Sequence, residues 1–268
     1  MKLGASYSLF DGEELLEHSI KSIRNNVNYV SVVYQKISNH GEQCNEGLEP
    51  LLRRLRDEGL IDRLHIYEPD IQNTGGENAS LNETKKRNIG LEISREVGCT
   101  HHLTIDCDEF YTDEQFRFMK EEMERGNYAT GYCQHLQYYK DSIYRLKYPE
   151  QEYVATIEKI TPDTQYIYNI ACEVPIDPTR KTNNVANGGG YRIFAREECQ
   201  MHHLSFVRKD IKKKLWNHSS RRFFTEAGVD RIVEYYKNWK YPEKVMWAGE
   251  NLLEVIEVQR VFEIYNVE

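Results

Sequence analysis

The sequence predicts an α/β fold: a mostly parallel, twisted sheet flanked by helices, a smaller mixed or antiparallel sheet, and a helical C-terminal extension. Three observations lead there. From Leu3 to Ile105, short apolar and β-branched runs alternate with stretches of helical periodicity. Beyond Arg125 the strand-like runs follow one another with no helix of proper length between them. The fourth apolar run ends in Asp106-Cys107-Asp108, at the strand end where an open parallel sheet binds its ligands.

Leu3 to Leu9 is the first strand candidate. Asp11 can cap the helix that follows, with Glu14 at the capping-box position and Leu15, Leu16, Ser19, Ile20 and Ile23 at helical spacing. Tyr29 to Tyr34 reads as a strand from its β-branched and aromatic content. Leu48 to Glu58 is a helix with Leu51, Leu52 and Leu55 on one face, ended by Gly59. Leu64 to Tyr67 is a third strand, Asn82 to Val97 a longer helix closed by Gly98, and His101 to Ile105 a fourth strand. Such alternation gives parallel neighbours joined by right-handed crossovers.

The second half reads differently. Asp113 to Arg125 is an amphipathic helix, and Tyr128 to Tyr139, Tyr153 to Ile160 and Gln165 to Ile170 are strand-like. Asp177 to Gly190, with its prolines, polar run and Gly188-Gly189-Gly190, reads as a long mobile loop. Tyr191 to Ala195 and Cys199 to Leu204 are short strands, and Val207 to Asn217 and Val229 to Lys240 are helices. Leu252 to Tyr265 is ambiguous between helix and strand. No linker divides the 268 residues, so we expect a main domain over 1–218 with an extension, 219–268, packed on it.

Composition excludes several classes. With 40% apolar and 29% charged residues the chain is globular rather than disordered. No apolar run approaches the ~18 residues needed to span a bilayer, so no transmembrane segment is expected. Met1 to Phe10 runs straight into Asp11-Gly12-Glu13-Glu14, unlike a signal peptide. Cys44, Cys99, Cys107, Cys133, Cys172 and Cys199 stand singly, with no C-x-x-C pair, as expected of reduced thiols in a cytoplasmic protein. A formal charge of −8 argues against a uniformly basic nucleic-acid coat while leaving local basic patches open.

The most informative stretch is Thr104-Ile-Asp-Cys-Asp-Glu-Phe-Tyr. Asp106 and Asp108 lie two apart, so on extended backbone their side chains share a face. Ionised carboxylates placed together repel, and a hard divalent cation with phosphate oxygens completing its shell removes that cost. Mn²⁺ or Mg²⁺ with a diphosphate is one reading; a solvated acidic turn is the other.

Together with two further stretches, this segment resembles nucleotide-sugar-dependent glycosyltransferases of the GT-A type, in the broad family-2-like group. One stretch is Ser8-Leu-Phe-Asp-Gly-Glu-Glu-Leu-Leu-Glu-His-Ser-Ile; the other is Met201-His-His-Leu-Ser-Phe-Val-Arg-Lys-Asp, with Lys85-Lys-Arg-Asn-Ile-Gly-Leu ahead of the acidic turn. The resemblance spans about residues 3 to 210 and implies a GT-A-like catalytic domain whose first loop, with Ser8 and Asp11, faces the nucleotide. It implies that Asp108 coordinates the metal and that Asp106 meets the ribose, or the metal through water. Glu109 would orient the loop or touch donor or acceptor. Arg87 or Lys85 would face the diphosphate or ribose, unless they lie on an ordinary solvated helix face. A UDP sugar is the expected donor.

His202 and His203 alternate on a strand, so only one can point at the site. Imidazole suits Mn²⁺ beside carboxylates, and we expect His203 to be the ligand, with His202 as the other candidate. The segment 208–222 is basic: Arg208, Lys209, Lys212, Lys213, Lys214, Arg221 and Arg222 stand against one Asp210. Such cations could stabilise a leaving diphosphate, Arg208 first among them, bind an anionic acceptor, or form a solvated helix face. Trp216, Phe223 and Phe224 could stack on a sugar or base, or be core. An inverting transfer needs a carboxylate base; Glu173 and Asp177 are the candidates, with Asp141, Glu150 and Glu152 as others.

The sequence thus leads us to expect a metal-dependent glycosyltransferase acting from a nucleoside diphosphate sugar on an unknown hydroxyl acceptor: a glycan, a small molecule or a modified nucleic acid. The alternatives are a transferase acting on hydroxylated bases of viral DNA, or a non-catalytic sugar- or partner-binding protein on the same scaffold. A sugar-1-phosphate nucleotidyltransferase is disfavoured, because Ser6-Tyr-Ser-Leu-Phe-Asp-Gly lacks a Gly-rich phosphate loop.

Overall fold

A computed structural model describes residues 1–71, 77–149, 151–219, 221, 224–246 and 252–264. The first half follows the expected alternation: β1 (Leu3–Leu9), α1 (Glu13–Ile23), β2 (Tyr29–Tyr34), α2 (Leu48–Asp57), β3 (Arg63–Ile66), α3 (Asn78–Glu96) and β4 (His101–Asp106). β5 (Glu109–Phe110) and α4 (Asp113–Arg125) follow. β1 pairs in parallel with both β2 and β4, and β2 with β3, so the carboxyl ends of these strands open at one edge. Leu3, Ala5, Tyr7, Val30, Val32, Leu103 and Ile105 are buried, because a parallel sheet covered by helices exposes neither face.

The expected second sheet is fused to the first. β6 (Thr130–Tyr139), β7 (Asp141–Leu146), β8 (Tyr153–Lys159), β9 (Tyr191–Ile193) and β10 (Gln200–Phe206) complete, with β13 (Val255–Glu257), one 11-stranded mixed sheet of order β13-β7-β6-β8-β4-β1-β2-β3. The junction is β8, antiparallel to β4 on one side and to β6 on the other. β10 lies parallel to β6 and antiparallel to the short β5, bringing His203 opposite Glu109. α5 (Ile211–Asn217) and α6 (Glu226–Asn238) pack beside this sheet, and β11 (Val245–Met246) pairs with β12 (Leu252–Leu253). No described helix is long and apolar enough to cross a membrane, and all six cysteines are free thiols.

Several local expectations need correction. Asp11 does not cap α1. Gly12 takes that position at φ 78° with no side-chain cap, and the Glu14 carboxylate instead accepts the Lys209 N–H at 3.2 Å. Gln165 to Ile170 forms no strand; a single bridge joins Tyr166 to Thr182. The segment 177–190 is not a loose loop. It forms a 3-10 turn, Pro178–Arg180, capped by Asp177, and buries Thr179, Arg180, Thr182, Asn183 and Asn184. β7 was not foreseen, because Lys140 at φ 64° turns the chain within one residue and leaves no loop signature. The C-terminal segment 252–264 supplies β12 and β13 rather than a helix, so α6 is the helical part of the extension; Tyr265 lies outside the described residues.

Close packing of α3 on β1 rests on Gly90. A Cβ there would lie 2.1 Å from Ser6 Oγ and 2.4 Å from Ser6 Cβ. Helix propensity alone favours alanine by about 1 kcal/mol, whereas overpacking a tight contact costs about 1–3 kcal/mol. Gly90→Ala is therefore expected to destabilise the protein in urea titrations; a stabilised variant would refute the contact.

Candidate functional site

The parallel strands end at a cavity of about 570 Å³, within the range of small-ligand sites. Ser8 from the end of β1, Asp11 from the next loop, and Asp106, Cys107 and Asp108 after β4 line it. Arg87 and Lys86 of α3, Arg180, His203 of β10, Arg208 and Lys214 of α5 line it too. Four stretches distant in sequence, residues 8–11, 86–87, 180 and 203–214, thus converge on the acidic turn.

Asp106 and Asp108 each face two cations. Asp106 Oδ2 accepts from Arg180 Nη2 at 2.7 Å and from Arg87 Nη2 at 3.3 Å. Arg87 is itself steered by the hydroxyls of Thr104 at 2.8 Å and Thr179 at 3.3 Å. Arg180 also pairs with Glu109, at 3.0 Å to Oε2 and more closely to Oε1, and Glu109 Oε2 accepts the Asp106 N–H at 3.1 Å. Asp108, 1% exposed, accepts through Oδ2 from Arg208 Nη2 at 2.5 Å and from Lys214 Nζ at 2.9 Å, while Oδ1 lies 3.7 Å from His203 Nε2. Leu204 N–H binds the Asp108 carbonyl at 2.7 Å, fixing the turn to β10.

Four cations thus face three carboxylates in this cluster. Burial pushes the Asp106 carboxyl up, but Arg87 and Arg180 outweigh it and hold the group well below the usual carboxylate range. Burial acts likewise on Asp108, and Lys214 and Arg208 overcome it. For Glu109 burial prevails over the attraction of Arg180, with the negative charge of Asp106 adding to it, and its pKa lies above the ordinary value.

The side chains, as arranged, leave no room for a divalent cation at Asp108 Oδ2, whereas Oδ1 faces His203 Nε2 at 3.7 Å. A metal would sit about 2.0–2.2 Å from a carboxylate oxygen, in the space that Arg208 Nη2 and Lys214 Nζ occupy around Oδ2. Among the described residues no group of three His, Cys, Asp or Glu side chains is placed to hold one.

The remaining sequence candidates divide clearly. His203 faces the cavity, whereas His202 is buried on the other side of the strand, its Nδ1 bonded to Tyr138 Oη at 2.8 Å and its ring packed on Phe262. Lys85 is exposed and does not line the cavity; the adjacent Lys86 does, buried and paired with Glu83 at 2.8 Å. Asp177 lies on the rim, its carboxylate accepting from Thr179 N–H and Oγ1, both at 2.7 Å. Glu173 is away from the cavity and accepts from Tyr191 Oη at 3.3 Å. Glu152 lines the cavity; Asp141 is bound to Arg260 at 2.9 Å. Glu150, Arg222 and Phe223 lie outside the described residues. Of the basic segment, Arg208 and Lys214 turn inward, Lys212 pairs with Asp230, and Arg221 lies 4.6 Å above the Trp216 ring. Phe224 packs beside the cluster around Tyr139 and Trp239.

Sequence reasoning missed Arg180, Lys86 and His135. Arg180 sits in a stretch whose composition signals only a loop. Lys86 is one step round the helix from the lysine singled out. His135 lies on β6 with its ring edge toward His203, centroids 5.9 Å apart, and burial lowers its pKa to about 3.

No protein-family model matches the chain, and no curated protein does. Among solved structures, residues 1–349 of TarS from S. aureus are similar over 89% of this chain and 71% of that one, with 12% identity and a TM-score of 0.47. The same protein in complex with UDP-GlcNAc is similar over 89% and 72%, with 11% identity and a TM-score of 0.45. Mannose-1-phosphate geranyltransferase from Thermus thermophilus is similar over 60% and 51%, with 16% identity and a TM-score of 0.32.

The segment that carries Arg180 is held by Glu158 of β8. This buried carboxyl accepts through Oε2 from Thr130 at 2.8 Å and from Thr182 and Asn184 at 2.9 Å each. Burial nevertheless raises its pKa from 4.5 to about 7. The folded protein keeps a proton that the unfolded chain releases, so stability falls as pH rises from about 4.5 to about 7 and stays lower above that, by up to about 3 kcal/mol. Glu158→Gln is expected to flatten this profile and to exceed the parent in stability at pH 8. Urea denaturation at pH 5 and pH 8 checks it; a parent equally stable at both would contradict the assignment.

Proposed function

We propose that the protein is a glycosyltransferase whose cavity takes a nucleoside diphosphate sugar, with UDP as the nucleotide, and passes the glycosyl unit to a hydroxyl group. The acceptor is a glycan, a small molecule or a modified nucleic acid. The observation that carries this reading is the array of fixed cations at the carboxyl edge of the parallel strands: Arg87, Arg180, Arg208 and Lys214 against Asp106, Asp108 and Glu109. Within this cluster the cations outnumber the carboxylates by one, which suits an anionic group placed against them, although the cavity lining as a whole carries seven carboxylates against five cations. It also suits the reaction, because negative charge grows on a diphosphate as the glycosidic bond breaks, and cations held in place stabilise it without reorganisation.

The two ends of the cavity differ in chemistry. Ser8, Asp11, Gln35 and Asn39 offer polar groups beside β1 and β2, and we assign the nucleoside there. His135, Gln137, Tyr153 and Ile176 form a more mixed wall, and we assign the acceptor to it. In an inverting transfer a carboxylate on that side takes the hydroxyl proton. Of the carboxylates expected from the sequence, Asp177 and Glu152 line the cavity and Glu173 does not; we assign the base to Asp177, next to Ile176 of that wall, with Glu152, next to Tyr153, as the second candidate.

Calorimetric titration separates diphosphate recognition from base recognition. UDP is expected to bind at least about 100-fold more tightly than uridine, equivalent to about 2.7 kcal/mol. Equal affinities would remove the diphosphate assignment, and binding without release of UDP from any UDP sugar would indicate a binding protein. In the transferase, Asp177→Asn is expected to lower kcat by about 10²–10⁴-fold with UDP affinity retained; unchanged turnover would move the base elsewhere.

A further inference from the structure

The positive charge that an Asp-x-Asp turn ordinarily draws from a dissolved cation is covalently attached in this protein. Arg208 and Lys214 both donate to Asp108 Oδ2, at 2.5 and 2.9 Å. Their placement is built into the fold. A Cβ on Gly12 would lie 1.4 Å from Arg208 Nη1, so the guanidinium lies against backbone that only glycine leaves open at this position, and Gly12 itself has φ 78°. The Arg208 N–H and carbonyl both meet Tyr236 Oη, at 3.5 and 3.2 Å. Arg208 is 5% exposed and lines the cavity, and its Nε is buried with no hydrogen-bond partner among the described residues.

We infer that Arg208 and Lys214 stand in for the divalent cation between Asp108 and the diphosphate, so that this protein binds its nucleotide without a metal ion. This rests on the nucleoside diphosphate reading above and narrows it. Asp108 then has a positioning role: it aims both cations at the phosphates and keeps them apart from Asp106, which is served by Arg87 and Arg180.

The test is titration of UDP into the full chain, once with excess chelator and once with Mn²⁺. The expected result is the same affinity, within about threefold, under both conditions. In chelator, Lys214→Met should weaken UDP at least about tenfold, equivalent to about 1.4 kcal/mol, while Lys214→Arg restores most of the loss. Thermal melts of both variants confirm that they fold. Should Lys214→Met fail to fold, the chelator comparison on the parent decides alone. Binding only with Mn²⁺ would overturn the inference and leave the diphosphate reading standing. Unaltered binding by a folded Lys214→Met would also overturn it. No binding of UDP, ADP, GDP or CDP under either condition would overturn the reading itself, and the inference with it.

Discussion

The constraint on which the rest of the structure depends is the neutralisation of three neighbouring carboxylates, two of them, Asp108 and Glu109, away from bulk water and Asp106 partly exposed at the cavity. Removing a carboxylate from water costs several kcal/mol, and only close, hydrogen-bonded partners repay it. Asp106, Asp108 and Glu109 lie within one turn, and their partners arrive from α3, the 3-10 turn after residue 177, the end of β10 and α5. The ion pairs therefore tie the parallel half of the sheet to elements that follow it by many residues. The same cations that hold these elements together line the cavity, so the stability of the site and its capacity to meet an anion beside the acidic turn have one origin.

The fused sheet gives this array its rigidity. β6 borders four other strands: β8 and β9 along its first half, β7 and β10 along its second. β10 carries His203 and ends just before Arg208, and through β5 its backbone is registered to Glu109. Asp108 and Arg208 are thus brought together by main-chain pairing, and their side chains need only small adjustments. The aromatic cluster of Tyr139, Tyr236 and Trp239 backs the other side of this region, and Tyr236 reaches from it to hold the Arg208 backbone.

The parts of this arrangement legible in the sequence are those governed by local periodicity. Strands β1 to β4 and helices α2 to α4 announce themselves because each buries a face or a whole apolar run. The acidic turn was legible from its place after β4; alternation along a strand said only that one of His202 and His203 faces the site, and the choice of His203 came from the resemblance of the segment that follows it. Long-range electrostatics was not legible. Arg180 lies in a stretch of proline, asparagine and glycine, and nothing local marks it as buried against Asp106. Lys85 and Lys86 are adjacent on one helix, and only the exact phase of α3 decides which reaches the cavity. The fate of Asp108 depended on two residues more than ninety positions away, so its two chemical readings, metal ligand or partner of fixed cations, could not be separated from the local pattern. β7 escaped because a one-residue turn carries no composition of its own.

The spacing of the ion pairs also bears on how the protein emerges from the ribosome. Asp106 precedes Arg180 by 74 residues, and Asp108 precedes Arg208 by 100. At roughly 5–20 residues per second, the acidic turn is made on the order of 5–20 seconds before Arg208. During that interval the β1–β4 layer can form, but burying Asp108 would strand its charge, so the turn stays hydrated. In the nascent chain, Asp108 thus gains its partners only once Arg208 and Lys214 have been made.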